Sequence, residues 1–208
     1  MDLSGFLNDL RAATGAPGGG AAAAVTGAMG CALFQMVAGI TLNSPKFAQG
    51  REQLEEIRSV ADDLHRKLLA LADEDAQAYR NVERAFRLPK STPEEKAERR
   101  KTIQEAFVGA TKSPLKTLEA CLEAMALLPG LLEYGNPNAI TDVAVGFLLL
   151  EAGAQGAAMN AEINLASIKD EEFKQASVDS LEQARKQVAS HKPRLNAALE
   201  QSGLGTVG

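Results

Sequence analysis

Apolar side chains recur at helical spacing along most of the chain, and the longest regular run lies between Arg51 and about Phe86. Steps of alternately three and four residues keep side chains on one face of an α-helix. The positions that follow those steps are Leu54, Ile57, Ala61, Leu64, Leu68, Leu71, Asp75, Ala78, Val82 and Ala85. The spacing therefore predicts a long amphipathic helix whose apolar face includes one carboxylate, Asp75.

A second segment, from Ala21 to about Leu42, is apolar or small almost throughout, and Gln35 is its one strongly polar side chain. The segment is long enough to span a bilayer. However, it is dominated by Ala and Gly, has no Lys or Arg at its start and lacks an aromatic belt. These features favour a buried central helix over a membrane span.

A third long segment begins at the turn Gly135-Asn136-Pro137 and continues as a helix to about Asn164. One side of this helix carries Asp142, Gly146, Leu149, Gly153, Gly156, Asn160 and Ile163. Each glycine inside a helix costs roughly 1 kcal/mol relative to alanine. The stripe therefore indicates that another helix or a flat ligand approaches the backbone closely. Asp142, at its head, is either a first-turn residue favoured by the helix dipole or a site residue.

Shorter signals complete the helical pattern. A short amphipathic helix is predicted from Leu3 to Ala13. Thr92 and Glu95 form the pattern of a capping box for a helix that starts at Pro93. Pro114 is expected to interrupt that helix, and a new helical pattern follows it to Pro129. Asp170 is placed to cap a last helix over residues 171–200.

No segment shows the alternation of a β-strand. The chain is therefore predicted to be all-α, a single domain over residues 1–208. We expect a bundle of about six or seven helices, several of them long, with small-residue packing faces.

The composition narrows the classes of function. Hydrophobic residues make up 45% of the chain but aromatic residues only 4%, so the core must consist mainly of Ala, Leu, Val and Ile. A net charge of −5 offers no basic surface of the kind that nucleic-acid binding requires. The start of the chain, Met1-Asp2-Leu3-Ser4, does not resemble a signal peptide. Two cysteines without a CxxC motif indicate reduced thiols in a cytoplasmic protein.

Several familiar kinds of site are disfavoured. Gly18-Gly19-Gly20 could bind an anion through backbone N–H groups, but the strand and the Gly-Lys-Ser/Thr of a P-loop are missing. His65 and His191 have no acidic or cysteine partners at ligand spacing, so no metal site is predicted. Cys31 and Cys121 lie in apolar runs, where burial would raise the pKa of each thiol and suppress its nucleophilicity.

Asp75 is the strongest candidate for chemistry. A lone carboxylate among Leu and Ala is costly unless it is paired or protonated. Desolvation would raise its pKa and suit it to general acid or base catalysis near neutral pH. The alternative is a core aspartate satisfied by an asparagine, an arginine or a backbone group, and the spacing alone leaves both readings open.

Together with Asp142, amide side chains could supply the hydrogen bonds that orient a ligand beside Asp75. The candidates are Asn136, Asn138, Asn160 and Asn164. A ligand held in this way would be polar, planar and anionic at one end. The cations available for that charge are Lys46, Arg51, Lys90, Lys112 and Lys116.

Five segments, in order along residues 4–200, resemble the formiminotransferase-cyclodeaminase C-terminal domain family. They are Pro17-Gly18-Gly19-Gly20-Ala21-Ala22-Ala23; Asp73-Glu74-Asp75-Ala76-Gln77-Ala78-Tyr79; Arg87-Leu88-Pro89-Lys90 with Thr92-Pro93-Glu94-Glu95-Lys96; Gly135-Asn136 with Thr141-Asp142; and Asn160 to Asn164 with Leu165. Members of the family are formiminotetrahydrofolate cyclodeaminases and bacterial methenyltetrahydrofolate cyclohydrolases. Five segments in register are far more specific than any one of them alone.

The resemblance implies an all-helical, typically dimeric enzyme that acts on a tetrahydrofolate derivative, without another cofactor, a metal, a nucleic acid or a membrane. Asp75 matches the proposed catalytic residue of the family, and we add Asp142 as a second catalytic candidate. We expect Asp75 to line a pocket with Asp142 and the Gly18–Gly20 turn nearby. The residues expected to bind substrate are Gly18, Gly19, Gly20, Lys46, Asn136, Thr141, Asn160 and Asn164. Ala21 departs from the family pattern, since many relatives have serine there, so activity or substrate preference could differ in this chain.

Two reactions fit this resemblance. Cyclodeamination closes N10 onto the N5-formimino carbon and expels ammonia, whereas cyclohydrolase action adds water to the same carbon of a methenyl bridge. Both need a proton shuttle and a pocket for a flat pterin. The segments 87–90 and 92–96 resemble the bifunctional enzymes most, so formiminotetrahydrofolate cyclodeaminase is predicted, with methenyltetrahydrofolate cyclohydrolase as the alternative.

A second alternative is a non-catalytic helical dimer. It would leave Asp75 exposed or in a salt bridge, with no pocket between the glycine turns. In either case the long Ala/Gly/Leu surfaces predict a homodimer, because an exposed apolar patch of that size is unusual for a soluble monomer.

Overall fold

The computed structural model describes residues 2–47 and 49–208. Within these residues the chain forms seven α-helices and one 3₁₀ turn, and no strand. The helices are α1 (Leu3–Leu10), α2 (Gly19–Leu42), α3 (Arg51–Phe86), α4 (Pro93–Met125), α5 (Leu128–Tyr134), α6 (Ile140–Leu165) and α7 (Glu171–Gln201), and the 3₁₀ turn covers Pro137–Ala139. The predicted all-α class is confirmed.

Four long helices form the centre of the molecule. α2 packs on α3 and α6, and α4 packs on the same two helices, so the four form a square with α2 diagonal to α4. Short connections make neighbouring helices antiparallel. α7 packs on α4 and α6 and buries Leu181, Val188 and Leu195. The core is mainly aliphatic, as the composition predicted, and Phe34 and Phe147 are its fully buried aromatic residues.

Glycines allow α2 and α6 to approach each other closely. A Cβ added to Gly30 would lie 2.7 Å from the carbonyl oxygen of Gly146, and one added to Gly153 would lie 2.9 Å from the carbonyl oxygen of Ala23. Both positions are too close for a real side chain, so the two glycine-bearing faces meet backbone to backbone. The predicted close approach is confirmed, and the neighbour of the α6 glycines is α2.

α3 begins and ends where its apolar periodicity predicts. Leu54, Leu64 and Leu68 are buried on the face that meets the core. Asp75 continues that face and is half-buried. The long amphipathic helix and the inward position of its carboxylate are therefore both confirmed.

The predicted interruption at Pro114 is wrong, because α4 continues through this residue. Proline has no N–H to donate to the carbonyl of the residue four positions earlier, which here is Ala110. That carbonyl instead accepts a hydrogen bond of 2.9 Å from Nδ2 of Asn164 on α6. The replacement donor comes from a distant part of the chain, so the local sequence could not reveal it.

The predicted helix starts are confirmed. Thr92 Oγ1 accepts from the N–H of Glu95, and the Glu95 carboxylate accepts from the N–H of Thr92, which is a complete capping box. Asp170 caps α7 by accepting from the N–H of Phe173. These caps fix where the long helices begin and hence which residues reach the ends of the bundle.

Two segments are long and apolar enough to cross a membrane by length and composition: α2 and the segment Pro137–Leu165. About half of the most apolar window of each is buried inside the molecule, 56% and 50% respectively. They pack on each other and on α3 and α4, as core helices do. The prediction that α2 is a buried central helix is confirmed.

Candidate active site

The four central helices enclose a pocket at one end of the square. α2 begins there, α6 ends there, and α3 and α4 run past it towards their connection at residues 87–92. The pocket has a volume of about 340 Å³. It is lined by Gly15, Ala16, Gly18, Gly19, Gly20, Asp75, Tyr79, Val82, Phe107, Ala110, Asn160, Ile163 and Asn164. It thus brings together the principal predicted catalytic residue, the glycine turn and two of the predicted asparagines.

Asp75 reaches the start of α2 from α3. The N-cap residue of α2, Gly18, has no side chain to receive the first N–H groups of the helix. The backbone N–H of Ala21 lies close enough to the Asp75 carboxylate to favour its charged form. A Cβ on Gly20 would collide with this carboxylate. Gly20 is therefore the residue that allows the carboxylate to approach the helix end.

Burial and hydrogen bonding act in opposite directions on the Asp75 carboxyl. Desolvation is the larger effect and raises its pKa above the ordinary value of 3.8, while the Ala21 N–H stabilises the anion. None of the salt bridges within residues 2–47 and 49–208 involves Asp75. A half-buried carboxyl without an ion-pair partner is suited to gaining and losing a proton in a reaction.

Both readings of Asp75 therefore hold at once. A backbone N–H, that of Ala21, stabilises its charged form, as expected for a core aspartate, and the same carboxyl lines a pocket. The non-catalytic alternative required Asp75 to be exposed or in a salt bridge, and neither is found.

Asn160 and Asn164 stand one turn apart on the last turns of α6. Nδ2 of Asn160 donates to the carbonyl of Gly156 at 2.8 Å, and Nδ2 of Asn164 donates to the carbonyl of Ala110 at 2.9 Å. Each side chain is held through its nitrogen, which fixes how the amide stands in the pocket wall.

Sequence reasoning did not single out the two aromatic residues of the pocket, Tyr79 and Phe107. Tyr79 lies four residues after Asp75 on α3, so helical spacing could have placed both on one face. Its ring fills the space beside Gly15, where any side chain would collide with it. Phe107 contributes a second ring from α4. Its position depends on the register between α3 and α4, for which the sequence carries no local signal.

The remaining predicted site residues lie at the opposite end of the bundle. The backbone N–H of Asn136 donates to Thr41 Oγ1 at the end of α2, at 2.9 Å. Asp142 lies in the first turn of α6, roughly 27 Å along the helix axis from Asn160. The prediction that Asp142 lies near Asp75 is therefore wrong within one chain. Asp142 and Asn160 do lie in the same helix, α6, as predicted. A shared helix face does not bring residues at its two ends together.

Thr141 and Lys46 share that distant end. Thr141 is exposed at the start of α6, and Lys46 is exposed in the connection between α2 and α3. Neither lines the pocket at Asp75. For Asp142 the structure fits the other reading of the sequence, an acidic residue in the first turn of a helix, where the dipole favours it.

A larger cavity, of about 420 Å³, lies between α4, α6 and α7. Its walls are mostly aliphatic. Its charged residues are paired, Lys192 with Glu151 at 2.8 Å and Arg185 with Glu162. The smaller pocket is the better candidate for chemistry, because there a carboxyl faces the open space without a countercharge.

Metal and thiol chemistry find no support in the described part of the chain. No group of three or more His, Cys, Asp or Glu residues there could hold a metal ion. His65 Nδ1 lies 3.0 Å from the carbonyl oxygen of Ala28, a structural contact. Burial raises the pKa of the Cys31 thiol to about 12, and that of Cys121 also rises. Both cysteines are poor nucleophiles for that reason, as predicted.

Comparisons with known proteins agree with one another. Residues 2–183 match the family described as Formiminotransferase-cyclodeaminase. A methenyltetrahydrofolate cyclohydrolase of Methylorubrum extorquens is 37% identical over 177 residues, which are 85% of this chain and 85% of that protein. The formimidoyltransferase-cyclodeaminase of Mus musculus is 34% identical over 83% of this chain, which corresponds to 32% of that longer protein. A crystal structure of formiminotetrahydrofolate cyclodeaminase from Thermotoga maritima superposes with a TM-score of 0.86 at 29% identity, over 97% of this chain and 96% of the other.

Proposed function

Because this chain belongs to the formiminotransferase-cyclodeaminase family, we propose that it is an enzyme acting on a one-carbon unit bound to tetrahydrofolate. The observation that carries this proposal is the half-buried Asp75 carboxyl, which shares one pocket with the glycine turn and two asparagines. The family supplies the class of substrate, and the pocket supplies a group that can move protons.

The pocket suits a flat, polar heterocycle. Its volume of about 340 Å³ is of the size found for small-molecule sites. Tyr79 and Phe107 offer apolar ring surfaces, while Asn160, Asn164 and the Gly18–Gly20 backbone offer polar contacts. A reduced pterin ring has both kinds of surface, and its side chain would extend towards solvent.

In the cyclohydrolase reaction, water adds to the cationic methenyl carbon between N5 and N10. The Asp75 carboxylate accepts one proton from the water as the C–O bond forms. Protonated Asp75 then delivers that proton to N5 as the C–N5 bond breaks, and the hydroxyl proton leaves to solvent as the carbonyl forms. The product carries a formyl group on N10, and one proton is released overall.

In the cyclodeaminase reaction, N10 attacks the carbon of the N5-formimino group. The formimino group reacts as its protonated, amidinium form, so attack by N10 leaves an NH2 group on the carbon. Asp75 accepts the N10 proton and passes it to this NH2 group, which leaves as ammonia while the C–N bond breaks and the methenyl cation forms. One carboxyl that takes and returns a proton therefore serves either reaction.

The comparison at 37% identity, which covers 85% of both chains, favours methenyltetrahydrofolate cyclohydrolase as the principal activity. The cyclodeaminase activity predicted from segments 87–90 and 92–96 stays a prediction. It is supported by the solved cyclodeaminase at 29% identity and by the bifunctional relative. Neither reaction requires a cofactor beyond the folate substrate in this proposal, and a cytoplasmic location stays a prediction.

The absorbance of the methenyl group separates the two activities, since hydrolysis removes this chromophore and cyclodeamination creates it. We expect purified protein to accelerate its loss from methenyltetrahydrofolate. If absorbance instead rises with formiminotetrahydrofolate while methenyltetrahydrofolate is stable, cyclodeaminase is the principal activity. No acceleration with either substrate would contradict the proposed function.

We also propose that the protein is a homodimer. The glycine faces expected to form the interface are used inside the chain, between α2 and α6. The same two helices also carry larger apolar residues that are exposed. They are Met29, Met36, Ile40, Val145, Leu148, Met159 and Ile163. We define these seven residues as the α2/α6 face, and an exposed apolar face of this length is typical of a protein–protein interface.

A further inference from the structure

Pro114 creates an unusual carbonyl beside the pocket. Pro114 lies within α4 and is buried. Its ring nitrogen carries no hydrogen to donate to the carbonyl of Ala110, four residues earlier. A helix carbonyl left without its partner needs another donor. Ala110 lines the pocket, so its carbonyl is available to a side chain that also stands in the pocket wall.

Asn164 provides that donor. Its Nδ2 lies 2.9 Å from the Ala110 carbonyl oxygen. A carbonyl oxygen can only accept, so the nitrogen of the amide must face Ala110 and the oxygen must face away. The orientation of the Asn164 amide is thereby set by an oxygen that Pro114 leaves free.

The Asn164 oxygen is left for a ligand. Among the described residues no hydrogen bond reaches Oδ1 of Asn164. Since every fully buried side-chain polar atom of these residues has a partner, this unbonded oxygen is not fully buried. The oxygen is therefore open to the pocket space that Asn164 lines. Asn160 repeats the arrangement one turn earlier, because its Nδ2 is held by the Gly156 carbonyl at 2.8 Å.

We propose that Pro114 is a positioning residue, which leaves the Ala110 carbonyl free to orient Asn164, so that Asn164 Oδ1 accepts a hydrogen bond from an N–H of the bound heterocycle. The inference rests on the proposed function, because a tetrahydropterin ring presents several N–H donors along one edge. Because Asn164 Oδ1 is already oriented as an acceptor, it should favour a ring edge that carries N–H donors over a ring edge that carries acceptor atoms.

The test measures the dissociation constant of tetrahydrofolate and the steady-state kinetics of the substrate that the wild-type protein turns over. Pro114→Ala and Pro114→Val place smaller and larger side chains at the position, and both restore an N–H that competes with Asn164 for the Ala110 carbonyl. We expect each to weaken binding and raise KM roughly three- to tenfold, the loss of one hydrogen bond, with kcat nearly unchanged. Asn164→Ala is expected to give a similar loss.

A double mutant tests whether Pro114 acts through Asn164. Once Asn164 is alanine, adding Pro114→Ala should cause no further loss, because the two changes remove the same interaction. Pro193→Ala is the matched control, since Pro193 also lies inside a helix but is exposed on α7, away from the pocket. Its binding and kinetics should equal those of the wild type.

Wild-type binding by Pro114→Ala and Pro114→Val, or losses that multiply in the double mutant, would overturn the proposal. So would loss of the helical circular dichroism in both Pro114 variants, because the proposal requires a restored N–H to find the Ala110 carbonyl within reach. If the wild-type protein itself binds no tetrahydrofolate, the proposed function fails and not this inference alone.

Discussion

At the scale of single residues, Asp75 combines a structural contact with the catalytic role that we propose for it. Its carboxylate lies against the start of α2, where the Ala21 N–H favours the charged form, and the same group lines the pocket. Gly20 makes this possible, because a side chain there would occupy the space of the carboxylate. A residue that serves both purposes should show a conflict between stability and function.

That conflict predicts a pH-dependent stability difference. Burial raises the pKa of Asp75 above the value it has in the unfolded chain. The folded state then holds this proton more tightly, so the contribution of Asp75 to stability falls as the pH rises through its folded pKa. Asp75→Asn removes this penalty and keeps an oxygen for the Ala21 N–H.

We therefore expect Asp75→Asn to raise the melting temperature at pH 7–8, and the gain should shrink as the pH falls to about 3, where the wild-type carboxyl is largely protonated in both states. Asp73→Asn, on the exposed side of α3, should show no such trend. A gain for Asp75→Asn that is equal at both pH values would contradict the assigned burial effect.

The sequence was informative about Asp75 and misleading about Asp142 for one physical reason. Periodicity along one helix is local information, so it could place Asp75 on an inward face. It also grouped Asp142 with Asn160, but a shared face says nothing about the roughly 27 Å between them along α6. Tyr79 was within reach of the same spacing argument, whereas Phe107 was not, because its place depends on the register of α4 against α3.

At the scale of elements, the approach of α2 and α6 depends on glycine. A Cβ on Gly30 would lie 2.7 Å from the Gly146 carbonyl oxygen and 3.1 Å from the backbone nitrogen of Leu150. Backbone atoms of a packed helix cannot turn aside as a flexible side chain can. The cost must therefore appear as a displacement of α6, which also carries Asn160 and Asn164 of the pocket.

Gly30→Ala is accordingly expected to destabilise the fold by about 1–3 kcal/mol, the usual cost of overpacking. Gly109→Ala is the matched control, since Gly109 lies within α4 and nothing is within 4 Å of an added Cβ. It should stabilise the protein by about 0.5–1 kcal/mol through helix propensity. Urea denaturation of both variants measures this, and equal effects would contradict the assigned packing.

Helix boundaries were largely predictable and helix continuity was not. Thr92 with Glu95, and Asp170, are local caps that the sequence shows directly. Pro114 was expected to end a helix because the sequence shows the hydrogen bond to the Ala110 carbonyl that proline removes, which is also a local effect. The compensating donor, Asn164, is 54 positions from Ala110 in the chain, so only the folded structure reveals it.

At the scale of the whole molecule, the α2/α6 face is an apolar surface that stays exposed in the single chain. Leu148, 40% exposed, lies within this face. A charge there would be buried without a partner in a dimer, which is strongly unfavourable. Leu148→Glu should therefore yield monomers at micromolar concentration, measured by size-exclusion chromatography with light scattering.

Val178 on α7 gives the matched control, because it is similarly exposed, at 37%, but lies outside the α2/α6 face. Val178→Glu should remain dimeric. A wild-type protein that is monomeric at micromolar concentration, or a Leu148→Glu variant that stays dimeric, would show that this face is not the interface of a homodimer.

The central claim is that Asp75 moves the proton in a reaction on tetrahydrofolate, and turnover of Asp75→Asn tests it most directly. The variant keeps the shape of the side chain and removes its titrating proton. We predict that kcat falls by roughly 10²-fold or more, while tetrahydrofolate binds nearly as tightly as to the wild type and Asp73→Asn retains full activity. Near-wild-type turnover by a folded Asp75→Asn protein would contradict the account.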